Sequence, residues 1–163
     1  MKAMTVDKPS SAIRFFPSLT DAAFLMPLAF LFLRMDGARR MLGDGDTGWH
    51  IRTGEWILQN GRVPNTDFFS FTKAGEPWYA WEWLWDVAAA WLHGHFGMAA
   101  VVSASTLVLC LTFALLFRLV RAQCSNVALA FWATLLATAG STMHWRARPH
   151  LLPLLFVVVF CTS

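Results

Sequence analysis

FGMAAVVSASTLVLCLTFALLF, residues Phe96 to Phe117, contains no Asp, Glu, Lys or Arg, and Arg118 and Arg121 close it. A helix rises about 1.5 Å per residue and the hydrocarbon core of a bilayer is about 30 Å thick, so a spanning helix needs about 20 predominantly apolar residues. This stretch meets that requirement, and a transmembrane helix is expected over 98–117. Three other stretches approach it. Residues 19–35 form a short apolar run with Asp21 near its start and Arg34 at its end, where a charged head can still reach the interface. Residues 124–145 again lack Asp, Glu, Lys and Arg, and Ala137, Ala139, Gly140 and Ser141 would let a neighbouring helix approach closely. Residues 150–163 begin a fourth span and stop mid-run. A membrane helix ending there leaves backbone groups in hydrocarbon, which predicts that the chain is the N-terminal part of a longer one.

The expected fold is therefore an all-α membrane protein with about four transmembrane helices, a tail over 1–18 assigned to the cytoplasm, and one large extramembrane loop over 36–97 containing amphipathic, interfacial helices. The first run is preceded by Lys2, Lys8 and Arg14, as in a signal peptide, but Asp36, Arg39 and Arg40 follow it instead of an Ala-x-Ala cleavage site. An uncleaved helix is the better reading. Lys and Arg flank the spans on both sides, so the positive-inside rule does not orient them.

Composition agrees with lipid as the solvent, since 56% of residues are hydrophobic and only 14% charged. The net charge of +3 comes from basic residues scattered singly or in pairs, with no continuous basic face, which argues against nucleic acid as a partner. Cys110, Cys124 and Cys161 have no paired spacing and read as inert apolar residues.

The loop holds eight of the ten acidic residues and seven of the nine tryptophans. Gly43-Asp44-Gly45-Asp46-Thr47-Gly48-Trp49-His50 reads as a glycine-broken turn into a helix, with Asp46 or Thr47 as N-cap and Asn60-Gly61 as the stop. Asp46, His50 and Gly54 then share one helical face. Asp44, Asp46 and His50 can form a site for a catalytic base or a divalent metal ion, or Asp46 caps the helix while Asp44 is solvated. Both readings stay open.

Phe68 to Thr72, between turn residues, fits an extended segment, and Asp67 either adds a carboxylate to the same site or, by default, makes an Asx-turn. Trp78, Trp81, Trp83 and Trp85 suit a helix lying in the headgroup region, running on into Val87 to Leu92. Glu82 and Asp86 share a face there and point either to a cleft or, by default, to water. Arg146 and Arg148, in the short turn His144 to His150 on the side of the loop, suit bidentate binding of phosphate or snorkelling to lipid headgroups.

Taken in order, Asp44-Gly-Asp46-Thr-Gly-Trp49-His50, Gly54-Glu55-Trp56, Gly61-Arg-Val-Pro64, Asp67-Phe-Phe-Ser70, Gly75-x-Pro77-Trp78, Glu82-Trp83-Leu84 and Arg148-Pro149-His150 resemble the first periplasmic loop and following helix of uncharacterised bacterial multi-pass proteins. Those proteins are similar to the GT-C glycosyltransferase superfamily. The resemblance covers roughly residues 20–163. It implies a bacterial inner-membrane protein that transfers sugar from a polyprenyl-phosphate donor to a periplasmic acceptor with inversion. Asp44 or Asp46 would take the acceptor proton or hold Mg or Mn. His50, Glu82, Arg146, Arg148 and His150 would bind substrate, the arginines stabilising the departing phosphate. The alternative is a non-catalytic multi-pass membrane protein whose Trp-rich loop binds a partner or lipid.

Overall fold

The computed structural model describes residues 17–162, so most of the expected tail, with Lys2, Asp7, Lys8 and Arg14, lies outside the described residues. Every regular element among those described is helical: α1 (Leu19–Arg34), α2 (Ala38–Met41), α3 (Asp46–Asn60), α4 (Trp83–Phe96), α5 (Met98–Gln123), α6 (Val127–Ser141) continued by a 3-10 turn (Thr142–His144), and α7 (Leu151–Cys161).

Two stretches are long and apolar enough to cross a membrane, Met98–Gln123 and Val127–His144. The first has 26 residues and is about 39 Å long. α6 starts three residues later than expected because the Asn126 side chain caps it, accepting from the Leu129 N–H at 3.1 Å. α1 has 16 residues. A capping box opens it: the Asp21 N–H donates to Ser18 Oγ at 3.2 Å and the Ser18 N–H to Asp21 Oδ2 at 2.7 Å.

α5 is the central post, in contact with α1, α4, α6 and α7. Its buried Val102, Leu109 and Phe113 meet Leu31 of α1, Met41 of α2 and Leu151 of α7 around Trp145, which is fully buried. Thus a residue from the turn before α7 is a centrepiece of the core. At one end of this bundle α3 and α4 form the most extensive helix pair in the molecule, seated on α5 through Ile51, Ala89 and Val101, with Ala147 from the same turn.

Two local expectations are corrected. Phe68 to Thr72 is a series of bends, and the only pairing nearby among the described residues is an isolated bridge between Thr66 and Pro77. Asp67 explains the departure, because its Oδ1 accepts from the N–H of Phe69 at 2.8 Å and of Ser70 at 2.9 Å, holding the backbone in a turn. The tryptophan run does not form one interfacial helix. α4 begins only at Trp83, Trp81 is 83% exposed, and Trp85 packs inward against the Ile51 cluster.

Candidate functional site

Gly45, not Asp46 or Thr47, caps α3. Asp46 is the first helical residue, and its N–H donates to Asp44 Oδ1 at 3.2 Å, so Asp44 closes the turn while Asp46 places its charge at the positive end of the helix. Thr47 is buried, and its hydroxyl donates 3.2 Å to the Ala147 carbonyl.

That bond belongs to a seam joining segments some hundred residues apart. The Ala147 N–H donates to the Met41 carbonyl at 2.9 Å, and Arg146 Nη1 donates to the Arg40 carbonyl at 3.0 Å. With the backbone fixed, Arg148 Nη2 stands 3.1 Å from Asp44 Oδ2 and also pairs with Asp46 Oδ2, while Arg146 Nε is 3.7 Å from Asp44 Oδ2. The acidic turn and the arginine turn, separate in the sequence, are one ion-pair network. Both carboxylates are thereby engaged by Arg148. Among the described residues no group of three or more His, Cys, Asp or Glu side chains is placed to hold a metal ion.

One turn beyond Asp46, His50 is 7% exposed and its Nδ1 lies 2.7 Å from Oδ1 of Asp86, which is 0% exposed. Gly54 makes this approach possible: a Cβ there would stand 1.9 Å from the Asp86 carbonyl oxygen, so α4 crosses α3 over a position that only hydrogen can fill. Burial pushes the Asp86 carboxyl above its ordinary range; the hydrogen bond and charge of His50 pull against this, and Glu82 adds to the rise. Asp86 Oδ2 is sealed from solvent and has no hydrogen-bond partner among the described residues. The carboxylate is therefore committed to one neighbour, the imidazole.

His50 forms part of the wall of an open cleft of about 660 Å³, shared with Asp46, Glu82 and the aromatic side chains Trp49, Trp78, Tyr79 and Trp81. Trp49 braces the imidazole edge to face, with ring centroids 5.4 Å apart, and meets Trp78 at 5.2 Å. With Nδ1 turned to Asp86, Nε2 is the ring nitrogen that no hydrogen bond occupies among the described residues. The cleft thus combines a carboxylate-held imidazole, two further carboxylates and stacking faces, with Arg148 bound to one of those carboxylates.

Of the residues expected from the sequence, Asp44, Asp46, Arg146 and Arg148 meet in the network, and Asp46, His50 and Glu82 line the cleft. His150 does not line it; its Nε2 bonds the His144 carbonyl in the turn before α7. Asp67 organises its own turn, where the bonds from Ser70 hold its carboxyl below the ordinary range. The residue missed is Asp86, for which water was the default. Its signal was present: at helical spacing it shares a face with Ala89 and Ala90, both buried, and small apolar neighbours mark the side of α4 that packs.

No protein-family model, curated protein or solved structure matches the chain.

Proposed function

We propose that the chain is all or part of a GT-C-like membrane glycosyltransferase of the bacterial inner membrane, transferring a sugar from a polyprenyl-phosphate donor to a periplasmic acceptor with inversion. The observation that carries the reading is the buried Asp86–His50 pair opening on an aromatic cleft beside the Asp46–Arg148 ion pair. In this reading α5 and α6 are membrane helices, α1, packed against α5, is a third, and α7, also packed against α5, begins a fourth.

In this mechanism the acceptor hydroxyl gives its proton to His50 Nε2 as its oxygen bonds to the anomeric carbon. Asp86 holds the imidazole in the tautomer that leaves Nε2 free and stabilises the imidazolium formed. The bond from the anomeric carbon to the phosphate oxygen breaks, its electron pair leaving with polyprenyl phosphate. Arg148 meets the growing negative charge, so the donor phosphate must exchange with Asp46 for that guanidinium. Asp46, on the cleft wall, is the second group able to take the proton, and Asp44 positions both arginines. Trp78, Tyr79 and Trp81 offer faces to the sugar rings.

The test is release of polyprenyl phosphate from synthetic polyprenyl-phosphate sugars by membranes carrying the chain. His50→Gln and Asp46→Asn should each lower the rate at unchanged membrane insertion. Wild-type release by both variants and by the double variant rejects the reading. The exposure of Trp81 at 83% and Trp83 at 45% favours a second one, a non-catalytic membrane protein docking a partner or lipid through these rings. In that case Trp81→Ser with Trp83→Ser abolishes association, whereas the His50 and Asp46 variants are silent.

A further inference from the structure

A second charged site lies at the end of α1. Asp36 and Gly37 have φ of 58° and 55°, in the left-handed region, and the Gly37 N–H donates to the Leu31 carbonyl at 2.8 Å. The chain therefore turns back sharply and sets Arg39 and Arg40 of α2 beside Arg34, the last residue of α1. Arg146 enters over Gly43, where a Cβ would stand 2.2 Å from its Nη1. These four guanidinium groups border an open cleft of about 610 Å³, with Asp36 as the one carboxylate on its wall.

The cations are not balanced from within. Asp36 reaches Arg39 only at 3.8 Å, between side chains 74% and 87% exposed, a pair that water screens. Arg34 has no partner among the described residues. Arg40 Nε is sealed from solvent without an acceptor among the described residues, although Nη2 reaches the Thr142 carbonyl at 3.4 Å. Arg146 is shared with Asp44.

An apolar groove of about 350 Å³ runs between α1 and α5 past Phe24, Leu28, Phe32 and Leu107. The Phe32 ring lies 3.0 Å from where a Gly37 Cβ would be, so the groove adjoins the turn that gathers the arginines. We infer that cleft and groove together hold one anionic phospholipid, its phosphodiester among Arg34, Arg39, Arg40 and Arg146 and one acyl chain along α1. Guanidinium suits phosphate oxygen in two-point contact, and an adjoining apolar channel selects a lipid over a free anion.

The inference rests on the membrane part of the proposed function and is independent of transfer. Native mass spectrometry of the detergent-purified chain, given equal amounts of dioleoyl-phosphatidylglycerol and dioleoyl-phosphatidylcholine, should show retention of the former. Arg34→Gln/Arg39→Gln, which alters exposed side chains only, should lower that retention by about tenfold or more, from the usual contribution of a cation at an anionic lipid surface. Ser103→Trp, which fills the groove and leaves the arginines, should lower it as well. Equal retention of the two lipids, wild-type retention by the double variant, or displacement of the lipid by inorganic phosphate alone would overturn the inference. Carbonate extraction of the same membranes separates the two failures: a chain released by carbonate refutes the membrane reading, and a chain that stays without lipid preference refutes this one.

Discussion

His50 Nδ1 lies 2.7 Å from Asp86 Oδ1 because Gly54, one turn further along α3, lets the α4 backbone come closer than any side chain would allow. Gly54→Ala puts a methyl 1.9 Å from a backbone oxygen, which no rotamer change relieves, so the helices must part. The expected cost is about 1–3 kcal/mol, as for overpacking elsewhere, together with loss of transfer as the imidazole loses its partner. Thermal unfolding in detergent measures the first and polyprenyl-phosphate release the second. An unchanged melting temperature would show that α3 and α4 slide apart freely.

Asp86 also makes a pH prediction. Burial raises its folded-state pKa above the ordinary 3.8, so the folded chain holds the proton more tightly than the unfolded one. The stability contributed is complete below about pH 3.8 and is lost as pH rises through the raised value. Asp86→Asn does not titrate, so its melting temperature relative to wild type should climb across that window. The same variant should lose about 10²-fold or more in transfer rate, since the amide no longer stabilises the imidazolium. A difference in melting temperature that is flat or falls with pH contradicts the burial of this carboxyl.

The apolar runs made the bundle legible, because a helix long enough to span lipid is written in composition alone. α5 and α6 lie where the sequence places them, with ends moved by a few residues through Asn126 and Gln123. The helix with Asp46, His50 and Gly54 on one face was legible too, through the 3.6-residue period and the Gly61 stop, which adopts φ of 64°. What local pattern cannot carry is which distant segment meets that face. Asp86 looked like half of a solvated pair with Glu82, and the arginine turn like a separate phosphate site, until Thr47, Met41 and Ala147 tied the segments together. Phe68 to Phe71 show the opposite failure: the Asx-turn expected at Asp67 is present, and its carboxylate, bonding two following N–H groups, overrides their strand propensity.

Among the described residues Arg148 is the one side chain ion-paired with both Asp44 and Asp46. Arg148 Nη2 alone faces both carboxylates, so Arg148→Lys keeps the charge and can hold them, but its compact ammonium lacks the planar fork that grips a phosphate at two points. At these exposures the network contributes about 1 kcal/mol or less to stability, and the melting temperature should hardly move. The transfer rate should fall, by about tenfold for lysine and about 10²-fold for glutamine, the order expected for removing a donor aimed at developing charge. If both variants keep wild-type rates, Arg148 has no part in transfer. Adding a chelator to the wild-type assay should leave the rate unchanged, because a divalent ion would first have to displace Arg148 from both carboxylates.

Trp145 connects the buried core to this chemistry. Its indole is 0% exposed and meets Phe30 at 6.3 Å and Phe113 at 6.0 Å, and its Nε1 donates to Ser141 Oγ at 3.1 Å. Arg146 and Arg148 follow within three residues, so the depth at which Trp145 is seated sets where the guanidinium groups stand. Trp145→Ala should cost about 3–5 kcal/mol by leaving a cavity, and should release the turn from Met41 and Thr47. Trp145→Phe keeps ring contact with both phenylalanines and loses the indole hydrogen bond, a cost of about 1 kcal/mol plus a smaller void. Hydrogen exchange at the Ala147 N–H, which is bonded to the Met41 carbonyl, distinguishes the outcomes. It should accelerate strongly in the alanine variant and little in the phenylalanine one. Equal protection in both would mean that the arginine turn is held by its own hydrogen bonds and not by the tryptophan beneath it.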